Sequence, residues 1–470
     1  MSIQQRNLNL SRRGFLQGAA FVAAGSFLAA CQPAPAPGTS ASTSTDASGE
    51  ATGVDWLHAD DISDMPPTTI RYWYYETPER TELGKQQVEQ FQKLFPNITV
   101  EGRTAPEAVD NEMLVAFIKA GTNSHVHQSV CNEDTWYITR DLLLPLQDLP
   151  GFQEVMDRMN PNLNYTWKDG NVYAISWYSG PWVLFYNKQL VEEAGLDSAN
   201  PPKTYSEYLA WAEALTKDGR YFIAHSVAEE WWRWEFNVYP YYIAAAGTNQ
   251  LHSEDGKSAT FNNPAMLAVY ELFDTLFRNG YNMVETAETN PFFSGQVAAT
   301  MSAAYLIAEA ANYAPEGFEM IVGPVPKPDD STVEGFPTFN FVREFVLMRE
   351  QQLTGEDADR TNRAAWEFMK FLLSPEQLAA DFAVAGDLPP VKDLLENPLY
   401  TDILKKMGPV AEEYAKYAAD SLIYDMNTPY ESESMAELQK SYLELAFDKM
   451  DPAEALAWAE EQVNAILAQG

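Results

Sequence analysis

Cysteine is nearly missing from this 470-residue chain: only Cys31 and Cys131 occur. No disulfide framework can be built from them. Histidine is almost as scarce. His58, His125, His127, His225 and His252 are scattered, and no His-Glu-x-x-His motif is present. His125, His127 and Cys131 lie close together, but their spacing matches no zinc pattern, so no metal and no cofactor are expected. Positive charge is thin, with 31 Lys and Arg against 67 Asp and Glu, a net charge of −36. Such an excess argues against nucleic acid and anionic lipid as partners. No Gly-x-Ser-x-Gly elbow or phosphate-cradling glycine loop occurs, so no motif argues for catalysis. After residue 30 no apolar run is long enough to cross a bilayer.

The chain's first apolar run is short. It extends from Gly14 to Ala30, is rich in Gly and Ala, and follows Ser11-Arg12-Arg13. It ends in Leu28-Ala29-Ala30-Cys31, which resembles a bacterial lipobox. Residues 1–30 therefore read as an export signal, with twin arginines favouring the Tat route over Sec. Cleavage before Cys31 would leave a lipidated cysteine that holds the mature chain at the outer face of the cytoplasmic membrane. Removing Arg6, Arg12 and Arg13 with no acid takes the charge from −36 to −39. Residues 32–53 are almost all Gln, Pro, Ala, Ser, Thr and Gly, a composition that buries no core. Residues 31–65 are expected to be lipid site and tether, with folded sequence from about Pro66.

The remaining length, roughly 400 residues, exceeds one ordinary core and predicts two domains. Strand-like runs alternate with amphipathic helices, the pattern of an α/β fold with a parallel sheet. Thr69–Tyr75 and Ile98–Val100 read as strands, Glu82–Phe95 and Ala108–Ala120 as helices. Thr204-Tyr205-Ser206-Glu207 has capping-box spacing, and Asn263-Pro264, Ser374-Pro375 and Asp451-Pro452 mark further helix starts.

Five stretches carry a likeness to known proteins. They are Gly180–Lys188 with Glu193–Leu196 and Pro201–Tyr205; Phe293-Ser294-Gly295-Gln296-Val297-Ala298-Ala299-Thr300-Met301; Gly323-Pro324-Val325-Pro326; Ala364–Glu376; and Gly386-Asp387-Leu388-Pro389-Pro390-Val391. In this order the chain resembles the extracellular solute-binding proteins of ABC importers that take sugars and oligosaccharides. The resemblance implies a two-lobed, type II periplasmic-binding-protein-like α/β fold, with discontinuous lobes closing on a hinge. The expected lobes are 66–176 with 346–384, and 177–345 with 385–470. Crossings are expected near Ile175–Trp182, Pro337–Phe345 and Ala385–Val391. It implies a carbohydrate ligand, the importer's membrane subunits as partners, a monomer and no enzyme.

A sugar presents C–H faces to aromatic rings and hydroxyls to charged groups and amides. The aromatic candidates are Tyr305, Trp177, Tyr178, Trp182, Trp231, Trp232 and Trp234, the last three followed by Phe236, Tyr239, Tyr241 and Tyr242. Three tryptophans so close cannot all face one core on a regular helix. The polar candidates are Glu76, Asn132, Glu133, Arg343, Glu344 and Asp387. Two other readings stay open at this level. A cationic solute such as a polyamine would also stack on tryptophan. A secreted glycan-active enzyme would need only two suitably spaced acids.

Overall fold

The computed structural model describes residues 60–75, 77–105, 111–284 and 290–469. The export signal, Cys31, the tether and Glu76 lie outside the described residues. No described helix is long and apolar enough to cross a membrane.

Among the described residues, eight strands form two sheets. They are β1 Thr68–Tyr75, β2 Ile98–Ala105, β3 Val126–Val130, β4 Ala174–Pro181, β5 Val183–Asn187, β6 Ala299–Ser302, β7 Met320–Gly323 and β8 Asn340–Leu347. The larger sheet has the order β2-β1-β3-β8-β4 and the smaller β6-β5-β7. The expected parallel rhythm holds only in part. β1 pairs parallel with β2 and β3, but β8 runs antiparallel to β3 and β4, and the smaller sheet is antiparallel throughout. The parallel strands β1, β2 and β3 follow one another through single helical crossovers, whereas β8 re-enters the larger sheet only after the chain has built the smaller one.

Side-chain alternation sets the layers. On β1, Ile70 and Tyr72 face one core, where Tyr72 meets Phe368 of the Gly355–Leu372 helix edge-on at 5.1 Å. Trp73 faces the other side with Leu114, Ile118 and Tyr137. On β5, Val183 and Phe185 share the first core, while Leu184 and Tyr186 enter a third. That strand is buried on both faces, which explains its unbroken Val-Leu-Phe-Tyr run.

The helix starts behave as their local chemistry requires, with one exception. Thr204 and Glu207 form the reciprocal capping box, and Asn263 and Asp451 cap their helices. Ser374 makes no capping bond, although Pro375 does open the helix.

The chain passes between sheets at a single residue. β4 ends at Pro181, β5 begins at Val183, and Trp182 lies between them. It returns between Gly323 and Asn340. Expected boundaries at 176/177 and 345/346 thus fall inside β4 and β8, which both pair within the larger sheet. The 385–391 segment runs beside β4, where Ser179 N–H donates to Leu388 O at 2.9 Å.

Asn340, fully buried at the start of β8, fastens this junction. Its Oδ1 accepts from Gly180 N–H at 2.8 Å, and its Nδ2 donates to Ser179 Oγ at 2.8 Å and Ser421 Oγ at 2.6 Å. Deleting the amide strands several buried polar groups at once. Asn340→Ala is therefore expected to lower unfolding free energy by about 3 kcal/mol in urea titrations. A loss under about 1 kcal/mol would show the clamp to be dispensable.

Buried carboxyls set a second expectation. Burial pushes Glu235 up from 4.5 to about 8, and Glu431 upward as well, helped by Asp425 and Glu235. An acid whose folded pKa is raised stabilises the fold below its unfolded value, and that contribution disappears as pH rises through the folded one. Buried His127 and His225 oppose this below 6.5, because burial presses each down to about 4. The melting temperature should therefore fall between pH 6.5 and 8, and Glu235→Gln should flatten that slope. A flat or rising wild-type profile in this window would contradict the assignment.

Candidate functional site

The junction displays a line of aromatic rings. The short helix Trp232–Asn237 places Trp232 and Phe236 one turn apart on the same side. Phe236 lies 4.3 Å from Trp182 between ring centroids, and Trp232 lies 6.1 Å from Phe236. Trp182 meets Tyr305 edge-on at 6.2 Å. Phe236 also reaches Phe341 on β8 at 5.7 Å, and Phe341 meets Tyr178 on β4 at 6.1 Å. Trp232 and Tyr305 are exposed, at 36% and 41%, while Trp182, Phe236 and Phe341 are half-buried. The same helix turns Trp234 inward, where it is fully buried beside Tyr239 at 5.5 Å. Trp234 is therefore a core residue, a correction to its place among the ligand candidates. Trp231 is half-buried against the same core.

Below the rings lies an ionic floor. Residues 341 and 343 of β8 are half-buried, whereas 340, 342 and 344 are buried, so Phe341 and Arg343 share the open face. The Arg343 guanidinium carbon is 5.9 Å from the Tyr178 ring and 5.5 Å from the Phe341 ring. Its charge also acts on Glu133 and Asp387. Desolvation pushes Asp387 up to about 6, against the pull of Arg80 and Arg343. Desolvation likewise raises Glu133 to about 7, while the Tyr137 hydroxyl, donating at 3.1 Å, holds it back. As carboxylates these groups accept hydrogen bonds from the hydroxyls of a ligand.

Arg80 completes the floor and was not among the sequence candidates. It donates to Asp387 Oδ2 at 2.5 Å and to Asp381 at 3.1 and 3.2 Å, and lies 5.2 Å from the Trp177 ring and 5.8 Å from that of Tyr178. A signal existed: an arginine in the first turn of the Pro78–Leu94 helix opposes the helix dipole and needs a tertiary partner. Phe341 had none beyond its strand position.

Two more candidates belong inside the protein. Glu344 is fully buried, interacts with Asp134, and accepts from Ser176 Oγ at 3.4 Å. Trp177 is 4% exposed, stacked 5.4 Å from Phe345 beneath Arg80, at a register irregularity in β4. Both correct the expectation of direct ligand contact, because strand alternation and the β4 irregularity turn them inward. Tyr178, also buried at 7%, touches the site through the Arg343 and Phe341 contacts given above. Glu76 and the Asn132 side chain lie outside what the structure describes.

A Ser-His-Asp arrangement lies elsewhere. His252 Nδ1 is 2.9 Å from Asp425 Oδ2, and its Nε2 is 2.9 Å from Ser434 Oγ. All three are buried, and the serine hydroxyl donates to Tyr430 O at 2.8 Å. Asp425 additionally accepts from the backbone N–H of Leu251 and His252, both at 2.7 Å. The cluster ties a loop to the Glu431–Ala446 helix and offers no surface to a substrate. Among the described residues no group of three His, Cys, Asp or Glu is placed to hold a metal. A groove of about 910 Å³ beside β7, lined by Ile307, Met320, Val322, Val410 and Tyr417, contains none of the candidates.

Comparisons with known proteins bear on the family and the fold. The sn-glycerol-3-phosphate-binding periplasmic protein UgpB of Pectobacterium atrosepticum is 27% identical over 229 residues, 47% of this chain and 49% of that protein. UgpB of Yersinia pseudotuberculosis is 27% identical over 231 residues. The chain thus spans about half the length of the curated relatives it matches. Among solved structures, the cyclic alpha-maltosyl-1,6-maltose binding protein of Arthrobacter globiformis superposes with a TM-score of 0.75 at 20% identity, covering 86% of this chain and 100% of that one. The sugar-binding protein MalE of Xanthomonas citri gives 0.71 at 20% identity, covering 86% and 98%. The fold is therefore the two-lobed α/β fold of periplasmic binding proteins. The family model described as bacterial extracellular solute-binding protein matches residues 86–406, and the chain belongs to that family.

Proposed function

We propose that this chain is the lipid-anchored receptor of an ABC importer, capturing a carbohydrate between its lobes and delivering it to the membrane subunits. The observation that carries the reading is the line Trp232–Phe236–Trp182–Tyr305 above the Arg343, Glu133 and Asp387 floor. Ring faces match the C–H faces of a pyranose, and the charged groups match its hydroxyls. Solved neighbours named for maltose- and maltodextrin-type ligands add support of the same kind. The lipobox at Cys31 supplies the anchor in this reading, and the twin arginines the export route.

A cationic solute is less well served. The Arg80 and Arg343 guanidiniums already lie near the Trp177, Tyr178 and Phe341 rings, so the protein's own cations take up those faces. Catalysis finds no support in the sealed Ser434–His252–Asp425 cluster.

Tyr305→Ala should weaken saccharide binding at least tenfold, about 1.4 kcal/mol, with an unchanged melting temperature because the ring is 41% exposed. Wild-type affinity for the same saccharide should stay nearly constant between about 0.01 and about 1 M salt. Isothermal calorimetry checks both. Unchanged affinity in the variant removes Tyr305 from the site, and a steep salt dependence points instead to a charged solute.

A further inference from the structure

The ionic floor stands on a hidden layer. Glu133 and Arg343 belong to the floor, and each is followed in the chain by an acid, Asp134 and Glu344, that is fully buried. Asp134 lies on the Cys131–Ile138 helix that follows β3, and Glu344 lies within β8. The two floor residues act on each other, Arg343 pulling on the Glu133 carboxyl. The two buried acids also act on each other, since Glu344 is hydrogen-bonded to Asp134. Two adjacent contacts thus join the helix to the strand, one at the site and one sealed beneath it.

Sheet register explains what surrounds the sealed contact. Ser129 on β3 and Ser176 on β4 are the residues directly opposite Glu344, so the three form one row across the sheet. Both serines are fully buried. Ser176 Oγ lies 3.4 Å from Glu344 Oε1, and the Tyr165 hydroxyl donates to Asp134 Oδ2 at 3.5 Å. Trp73, Tyr137, Ala174 and Val346 fill the rest of this layer. The other titratable groups around the pair are Glu133 and Tyr137 on the helix, His127 on β3, Tyr165, and Arg343 on β8. Burial keeps His127 neutral above about 4, and Arg343 lies on the opposite face of its strand. Hydroxyls and apolar groups cannot neutralise two negative charges. Both carboxyls therefore cannot ionise together, and one proton serves the two. Burial and the Glu344 charge accordingly hold Asp134 well above the usual carboxylate range.

We propose that Asp134 and Glu344 share one proton in a carboxyl–carboxylate hydrogen bond that positions Glu133 and Arg343 for the ligand. The proposal rests on the carbohydrate reading of the floor and adds to it two positioning residues and a pH dependence. With the proton present, the O–H of one acid donates to the carboxylate of the other. When hydroxide removes it as water, two carboxylates face each other, and their repulsion parts the helix that carries Glu133 from the strand that carries Arg343. The linked form is the protonated one, so it persists at low pH and is lost as pH rises through the pair's titration. Affinity should follow it downward.

The test is calorimetry on the full chain with malto-oligosaccharides, maltose to maltohexaose, from about pH 6 to about pH 10. Asp134→Ala removes the donor and should weaken binding about tenfold at the acid end. Asp134→Asn should restore the wild-type affinity there, and keep it at the alkaline end where wild type loses about tenfold, because an amide donates at every pH. Glu133 titrates in wild type and variants, so they are compared at each pH. The proton is also read without ligand. The infrared difference between wild type and the Asp134→Asn/Glu344→Gln double variant at neutral pH should show one protonated-carboxyl C=O band and one carboxylate band. Two carboxylate bands with no protonated one would overturn the shared proton. If saccharides bind but Asp134→Asn follows the wild-type pH profile, the positioning role is wrong while the carbohydrate reading stands. If the infrared bands appear as expected but no saccharide binds, the carbohydrate reading falls and takes the role in binding with it.

Discussion

The structure depends most on the Asn340 amide at the meeting of β4, β8 and the 418–421 turn. A fully buried amide in low dielectric must be satisfied, and this one binds Gly180, Ser179 and Ser421 together. Its consequences are geometric. With Ser179 and Gly180 fixed, Trp182 must emerge one residue after β4 ends, at the change of sheet. With residue 340 pointing inward, alternation along β8 turns Phe341 and Arg343 to the open side. The aromatic line and its ionic floor are thus set by a polar clamp on the opposite face of the same strands.

The electrostatics of the site contrast with those of the chain. A molecule with a net charge of −36 collects two arginines at the junction and balances them with Asp381, Asp387 and Glu133. Arg80 is held by two carboxylates and lies near two rings, so it acts as a rigid support beneath Tyr178. A ligand entering this space meets flat apolar surfaces backed by charges whose partners already hold them in place. That is preorganisation, and it reduces the ordering cost of binding.

Much of the fold was legible because it is written locally. Thr204 and Glu207, Asn263, and Asp451 need only neighbours three residues away to define a helix start, and their bonds form as the spacing requires. Ser374 shows the limit of this argument: the residue type was right, yet its hydroxyl makes no cap. The three-tryptophan argument was sound as helical geometry, since Trp232 faces out and Trp234 in, but sequence alone did not say which was which. Glu344 and Trp177 were misread because strand facing depends on register, and the irregularity between Ser176 and Tyr178 shifts it. Asn340 and the Ser434–His252–Asp425 cluster were illegible, as their partners lie 81 to 182 residues away. Arg80 alone among the missed residues left a local trace, a cation where the helix dipole disfavours one.

The central claim is that ring faces at the junction hold a carbohydrate. Saturation-transfer NMR tests it most directly, with irradiation confined to the protein's aromatic protons and a bound oligosaccharide observed. The account predicts strong transfer to the C–H protons on the faces of the sugar rings, lost on adding an excess of a tighter-binding saccharide. Binding with no transfer from aromatic protons would contradict it.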